Sequence, residues 1–345
     1  TLNLGGIGLN TAVGYAAGAL MTTGVENTII GGSAGDAITT GGYNTLMGVH
    51  AGGGLVEGTD NVAIGWSALK TENAHGGNVA IGKEALKVLD AGAEGYNVAV
   101  GLKAGLVMTT GVDNTIVGGL AGDALTTGTR NSLFGKNAGS ALTTGNYNTV
   151  VGYQALSDDD QGAFNTAIGY FALENYNDGV DNGHNTAIGA QSQRNASTGE
   201  FNTSVGSLSF GSGVLTGDAN VAFGYDAGNT LTSGGSNVLL GTSAGNSLTT
   251  GSNNIAIGHA ALHTEDTHGK NIAIGQEALS LQDAGADAYN VAVGYYAGKV
   301  ISTGVQNTLI GGLAGDAITT ANSNVAVGYA ALSTNIDGDS NTAIG

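Results

Sequence analysis

The 345-residue sequence contains no cysteine and no proline, and only 10% of its residues are charged. The lack of cysteine excludes disulfides and thiolate metal sites, and leaves the redox compartment open. Cations are also scarce. Nine Lys and Arg face 27 Asp and Glu, for a net charge of −18, a balance that repels phosphate backbones and anionic lipid headgroups. Nucleic acid and membrane surfaces are therefore poor partners. No run approaches the roughly eighteen apolar residues of a membrane span, so insertion into a bilayer is not expected. No Pro-rich stretch or change of composition marks a linker, and residues 1–345 read as one continuous domain.

What the sequence does have is glycine, 63 residues of it, together with 41% hydrophobic residues. A disordered Gly-rich chain would be poor in Val, Ile and Leu, so a folded repeat is the expectation. The repeat is explicit. A five-residue word, Asn followed by a β-branched or small residue, two further apolar or small residues and Gly, occurs twenty times from Asn10 to Asn341. Successive motif Asn residues lie 17 apart in fifteen of nineteen intervals. The exceptions, Asn78 to Asn97, Asn165 to Asn185, Asn202 to Asn220 and Asn271 to Asn290, are longer by one to three residues. A fixed period with short insertions at one phase is the signature of a solenoid. Residues 61–135 and 254–328 align without gaps at an offset of 193 with 46 of 75 positions identical, an internal duplication that copied a block of coils.

Each word reads as a strand closed by a Gly corner. The third residue after Asn is large and apolar in all twenty copies, and is expected to face the core together with the residue directly after Asn. The residue between them is Ala in twelve copies, and in the others includes Ile29, Leu46, Ile116, Leu133, Leu239 and Leu309. This second face is expected to lie outside and to be covered by other chains. A segment of the form "AG..LTTG..N", as in Ala121 to Asn131, reads as a second short strand. Stacked coils about 4.8 Å apart would make a parallel β-solenoid rod of about 95 Å. The recurring Asn would form a ladder that satisfies backbone groups at a buried turn.

Motifs with catalytic precedent reduce to the repeat. "GGSAG" at Gly31 and "GTSAG" at Gly241 match a nucleophile-elbow pattern, but equivalent coils hold His50, Lys103 or Leu120 in place of Ser. "GNVAIGKE" at Gly77 approaches a phosphate loop, with Glu84 where Ser or Thr would hold magnesium. "IGxxA" matches the hexapeptide pattern of left-handed β-helix acyltransferases, but only once per coil instead of three times. Glu72 with His75 and Glu265 with His268 are duplicated acid and histidine pairs. They and Asp158–Asp160 read as solvated loops, and two donors fall short of a cation site. The carboxylate excess suits loose calcium binding only. No catalytic, cofactor-binding or metal residue is assigned. The residue after the motif Gly is Tyr15, Trp66, Tyr153, Tyr170, Tyr225, Tyr295 or Tyr329 in seven coils, an exposed column suited to chain packing or to stacking on sugar faces.

The word N-[TV]-A-[IV]-G, as at Asn10, Asn61, Asn165 and Asn341, resembles the repeat of trimeric autotransporter adhesin heads, although the period here is longer. The phrase "NTIVGGLAGDALTTG" from Asn114 is similar to repeats of phage tail fibres and related surface fibres. The resemblance implies a non-catalytic building block of an extracellular, cell-surface or virion fibre, adhesive through its loops or binding host glycans. Self-association as a lateral trimer or a head-to-tail filament is expected. An acyltransferase and an ice-binding solenoid are the competing classes. An ice binder needs paired outward Thr, whereas here the motif Thr alternates with Val and Ile. Since the chain starts and stops within a coil, it reads as a cut through a longer protein.

Overall fold

A computed structural model describes residues 8–177, 179 and 183–345. It is an all-β parallel solenoid, with one three-residue strand per coil, from β1 (Thr11–Val13) to β20 (Thr342–Ile344), and no helix among the described residues. The chain divides into two compact units, Thr1–Ala167 with Gly179–Asn182, and Ile168–Asp178 with Gly183–Gly345. Within each unit, neighbouring strands pair in parallel and in register. In the first unit β7 (Thr115–Val117) pairs with β8 (Ser132–Phe134) through Thr115 with Ser132, Ile116 with Leu133 and Val117 with Phe134. In the second, β14 (Val238–Leu240) pairs with β15 (Ile255–Ile257) in the same way.

The faces of the strand are the reverse of the expectation. The central residue points inward: Ile29, Leu46, Ile116, Leu133, Leu239 and Leu309 are all 0% exposed, and the central alanines from Ala63 to Ala326 are buried as well. The third residue points outward, with Met47 at 43%, Phe134 at 39% and Phe223 at 46%. The motif Thr or Val shares that outer face. Hence the row expected to need covering by other chains is covered by the coil itself. The segment expected to be a second strand is also different: it forms bends instead of strand, yet its amides bond along the stack, as in Thr109 N to the Thr126 carbonyl and Thr126 N to the Thr143 carbonyl.

The interior is packed by a rule that links neighbouring coils. Directly after the small residue at each corner, which is Ala except at Ser192 and Ser209, comes a residue that is Gly or a larger one such as Leu69, Leu86, Leu156 or Phe210. It is Gly wherever its own coil or the next has Leu or Ile at the strand centre, and non-Gly elsewhere. The geometry explains this. A Cβ on Gly122 would lie 2.8 Å from Leu133 Cδ1, one on Gly35 2.7 Å from Leu46 Cδ1, and one on Gly245 2.7 Å from Leu239 Cδ2. Gly105 lies between two such neighbours, with Leu86 Cδ2 at 2.9 Å and Ile116 Cδ1 at 3.2 Å from its Cβ position. One large side chain therefore fills a space contributed to by two corners, and close packing leaves no room for both. Where Leu occupies the corner it adopts φ of +49° at Leu69 and +46° at Leu86, a left-handed conformation that costs about 1–2 kcal/mol and is offset by burying the side chain, worth about 1.5–3 kcal/mol.

The Asn ladder is present as expected. Asn148 N and Nδ2 donate to Asn131 Oδ1 at 3.0 and 3.1 Å, while Nδ2 of Asn131 donates to the Gly145 carbonyl at 2.8 Å and to Asn114 Oδ1 at 3.2 Å. Most of these amides thus satisfy a backbone N–H of the next coil and a turn carbonyl of their own, whereas Asn78, Asn271 and Asn324 bond the carbonyl two residues earlier. These Asn side chains are essentially inaccessible to water.

Candidate functional site

Two kinds of surface stand out, an outer sheet face and a pair of acid and histidine loops. The outer face follows from strand alternation: with the centre inside, Thr, Val, Ile or, once, Ser132 on one side and Ile, Val, Leu, Phe or Met on the other repeat outward along the stack. Expected aromatic residues after the motif Gly are exposed, from Tyr153 at 41% to Tyr15 at 87%. A second aromatic column went unrecognised in the sequence. It lies immediately before the motif Asn, at Tyr43, Tyr96, Tyr147, Phe164, Phe201 and Tyr289, all exposed. Tyr147 stacks on Phe164 at 4.9 Å between centroids and 6° between planes, one coil apart, and His184 stacks on Phe201 at 5.1 Å. Reading this column needs the ladder: residues seventeen apart become neighbours only once the coils are stacked.

Most of the scarce cations lie against these rings. Lys83 lies over Trp66 at 5.1 Å, Arg130 over Tyr147 at 5.4 Å, Lys136 over Tyr153 at 5.8 Å and Lys270 over Tyr289 at 5.0 Å, while Lys299 lies over Tyr296, next to the column residue Tyr295, at 4.0 Å. Their charge is further taken up by Lys270–Asp287 and Lys299–Glu277 pairs, each 2.7 Å. The Glu277 and Asp287 carboxyls are held below their ordinary range first by these hydrogen bonds.

The acid and histidine loops are not the solvated loops expected. Glu72 and Glu265 replace the second core residue of their coils, the position held by Leu55, Leu125 or Leu248 elsewhere, and both are 0% exposed. The apolar period thus carries a carboxylate inward. Glu265 Oε1 accepts the His268 amide at 3.1 Å and lies 3.6 Å from His268 Nδ1, whereas its buried Oε2 has no hydrogen-bond partner. In the other copy Glu72 Oε1 accepts the Asn73 and His75 amides and Oε2 accepts the Ala91 amide at 3.3 Å, while His75 Nδ1, 3.5 Å from Glu72, has none. Burial pushes both carboxyls up, Glu265 to about 7 with Asp283 and Asp266 adding to the rise. The next coil adds a third partner in each copy. One oxygen or ring nitrogen from each of Glu72, His75 and Asp90, and from each of Glu265, Asp266, His268 and Asp283, lies within 4.8 Å of the others in its cluster. Asp90 and Asp283 were missed as partners although the sequence carries a signal. Each belongs to "DAGA" in a coil lengthened to 19 residues, one coil beyond its Glu.

Asp159, the middle of the triple Asp, is likewise buried, and its Oδ1 accepts the Gly162 amide at 2.7 Å. Ser33 and Ser243 have φ of +51° and +55°, the conformation His50, Lys103 and Leu120 also adopt at that corner, so the strain belongs to the coil and not to serine chemistry. An open depression of about 220 Å³ is lined by Ala260, His263, Glu277, Ser280 and Leu281. No helix of the described residues is long and apolar enough to cross a membrane. Comparison with protein-family models and with curated proteins finds no match.

Proposed function

We propose that the chain is a non-catalytic structural segment of an extracellular or virion fibre, which self-associates through the outer face of its strands. The observation that carries this reading is the half-exposed outer row, apolar in every coil, with Met47, Phe134, Phe223 and Ile310 each about two-fifths exposed or more. A regular row of this kind is a surface that association covers. The fixed coil, the copied block of coils and the likeness of N-[TV]-A-[IV]-G to adhesin-head and tail-fibre repeats support the same reading. Sedimentation at micromolar concentration should give an oligomer, and Phe134→Lys with Val151→Lys should shift it toward monomer without changing far-UV circular dichroism. A monomeric parent chain would overturn the lateral mode. Residues 1–9, the expected partner edge for end-to-end stacking, fall mostly outside the described residues.

The two exposed aromatic columns favour a second reading, adhesion to surface glycans. Rings presented to solvent stack on sugar faces. Binding to a glycan array that is lost in Tyr147→Ala with Phe164→Ala supports it, and an array with no bound glycan removes it.

A further inference from the structure

Glu265 presents a problem that its own loop does not solve. It occupies a core position of the solenoid, it is wholly buried, and one of its two oxygens has no hydrogen-bond partner among the described residues. Burying a carboxylate is tolerated when it is paired or coordinates a metal. The side chains around it are Asp266, His268 and Asp283, so three carboxylates converge with a single imidazole. Among the described residues, the ion pair of Glu265 is with His268 alone, at 3.6 Å. His268 Nδ1 also lies 3.0 Å from Thr267 Oγ1, an exposed contact that a metal on Nδ1 would replace.

We propose that Glu265, Asp266, His268 and Asp283 form a divalent-cation site for a borderline metal such as Zn²⁺, and that Glu72, His75 and Asp90 form a weaker counterpart in the duplicated block. The donor set selects the metal. One nitrogen and up to three carboxylate oxygens suit four-coordinate zinc, whereas calcium takes six to eight oxygens. Zinc bonds of about 2.0 Å place tetrahedral ligand atoms about 3.3 Å apart, close to the 3.6 Å of the His268–Glu265 pair and the 3.5 Å of the His75–Glu72 pair. The ranking of the two sites follows from one residue. Asp266 is a fourth donor in the second loop, and Asn73 stands at the matching place in the first. In both copies the ion would join a regular coil to the 19-residue coil that follows it, pinning an inserted loop at the point where the period is broken.

The test is isothermal titration of the full chain, freed of metal, with ZnCl₂ and in parallel with CaCl₂. Two classes of Zn²⁺ site are expected. His268→Gln or Asp283→Asn should weaken the tighter class at least tenfold and leave the weaker class unchanged, with far-UV circular dichroism as the control for folding. Both side chains reach solvent, so their replacement removes a donor without opening the core. Asp266→Asn gives the second loop the donors of the first and should merge the two classes into one. A tighter class of Zn²⁺ binding that persists undiminished in the His268→Gln, Asp283→Asn double variant would overturn the proposal, as would binding of Ca²⁺ without Zn²⁺, or no binding of Zn²⁺.

Discussion

At the scale of the residue, the motif Asn does work that a different side chain cannot copy. Asn131 Oδ1 receives the backbone N–H of Asn148, and Asn131 Nδ2 supplies the Gly145 carbonyl. In Asn131→Ala both backbone groups stay buried and lose their partners, at about 1–3 kcal/mol each. Thermal unfolding should show the loss, and hydrogen exchange should show the Asn148 amide losing protection before amides several coils away. A second pair of changes reads the orientation of the strand directly. Leu133→Gln places an amide in the sealed interior and should cost about 3–5 kcal/mol, while Phe134→Gln, one residue on but facing outward, should cost no more than about 1 kcal/mol. Equal effects of the two, measured by thermal denaturation, would contradict the inward centre.

At the scale of the element, the coil length, the strand, the Gly corner and the Asn ladder were all legible in the sequence, because the motif recurs in every coil and the period is 17 in fifteen of nineteen intervals. The direction of the strand was not. Alternation identifies two faces but names the inner one only when the other is polar, and here Ile, Val or Phe outside is larger than Ala inside. Size misled, because the volume next to a buried central Ala is filled by a large corner side chain, such as Leu69 or Phe210, of its own or the preceding coil. The acid and histidine loops were half legible for a related reason: their residues were recognised, but Asp90 and Asp283 join them only after stacking. The corner rule makes its own prediction. Gly122→Ala puts a methyl 2.8 Å from Leu133 Cδ1 at a φ of +50° and should destabilise by about 1–3 kcal/mol. Leu133→Ala vacates that space, so the double variant should be more stable than the sum of the single changes implies, by about 0.5–3 kcal/mol in a thermal double-mutant cycle.

At the scale of the whole molecule, the same rule decides which coils can stand next to each other. Removing residues 27–43 deletes one coil and sets Gly18 before Leu46, an allowed junction. Removing residues 97–113 also deletes one 17-residue coil and keeps the Asn spacing, but it takes away Gly105, which separates Leu86 from Ile116. The first deletion should unfold close to the parent temperature, and the second should melt markedly earlier or accumulate in inclusion bodies. Equal behaviour would mean that the interior tolerates both large side chains at once. For a gene that lengthens by recombination, a crossover that keeps the reading frame and the period is therefore not enough. The joint must also bring compatible neighbours together. The duplicated block 61–135 and its copy 254–328 meet that condition at their leading ends: each begins with a coil centred on Ala, Ala63 or Ala256, and follows a coil with a Gly corner, Gly52 or Gly245. Glycine thus acts as a splice signal in the protein, marking where foreign coils can be admitted and leaving the Leu corners as the places where lineages cannot readily be shuffled.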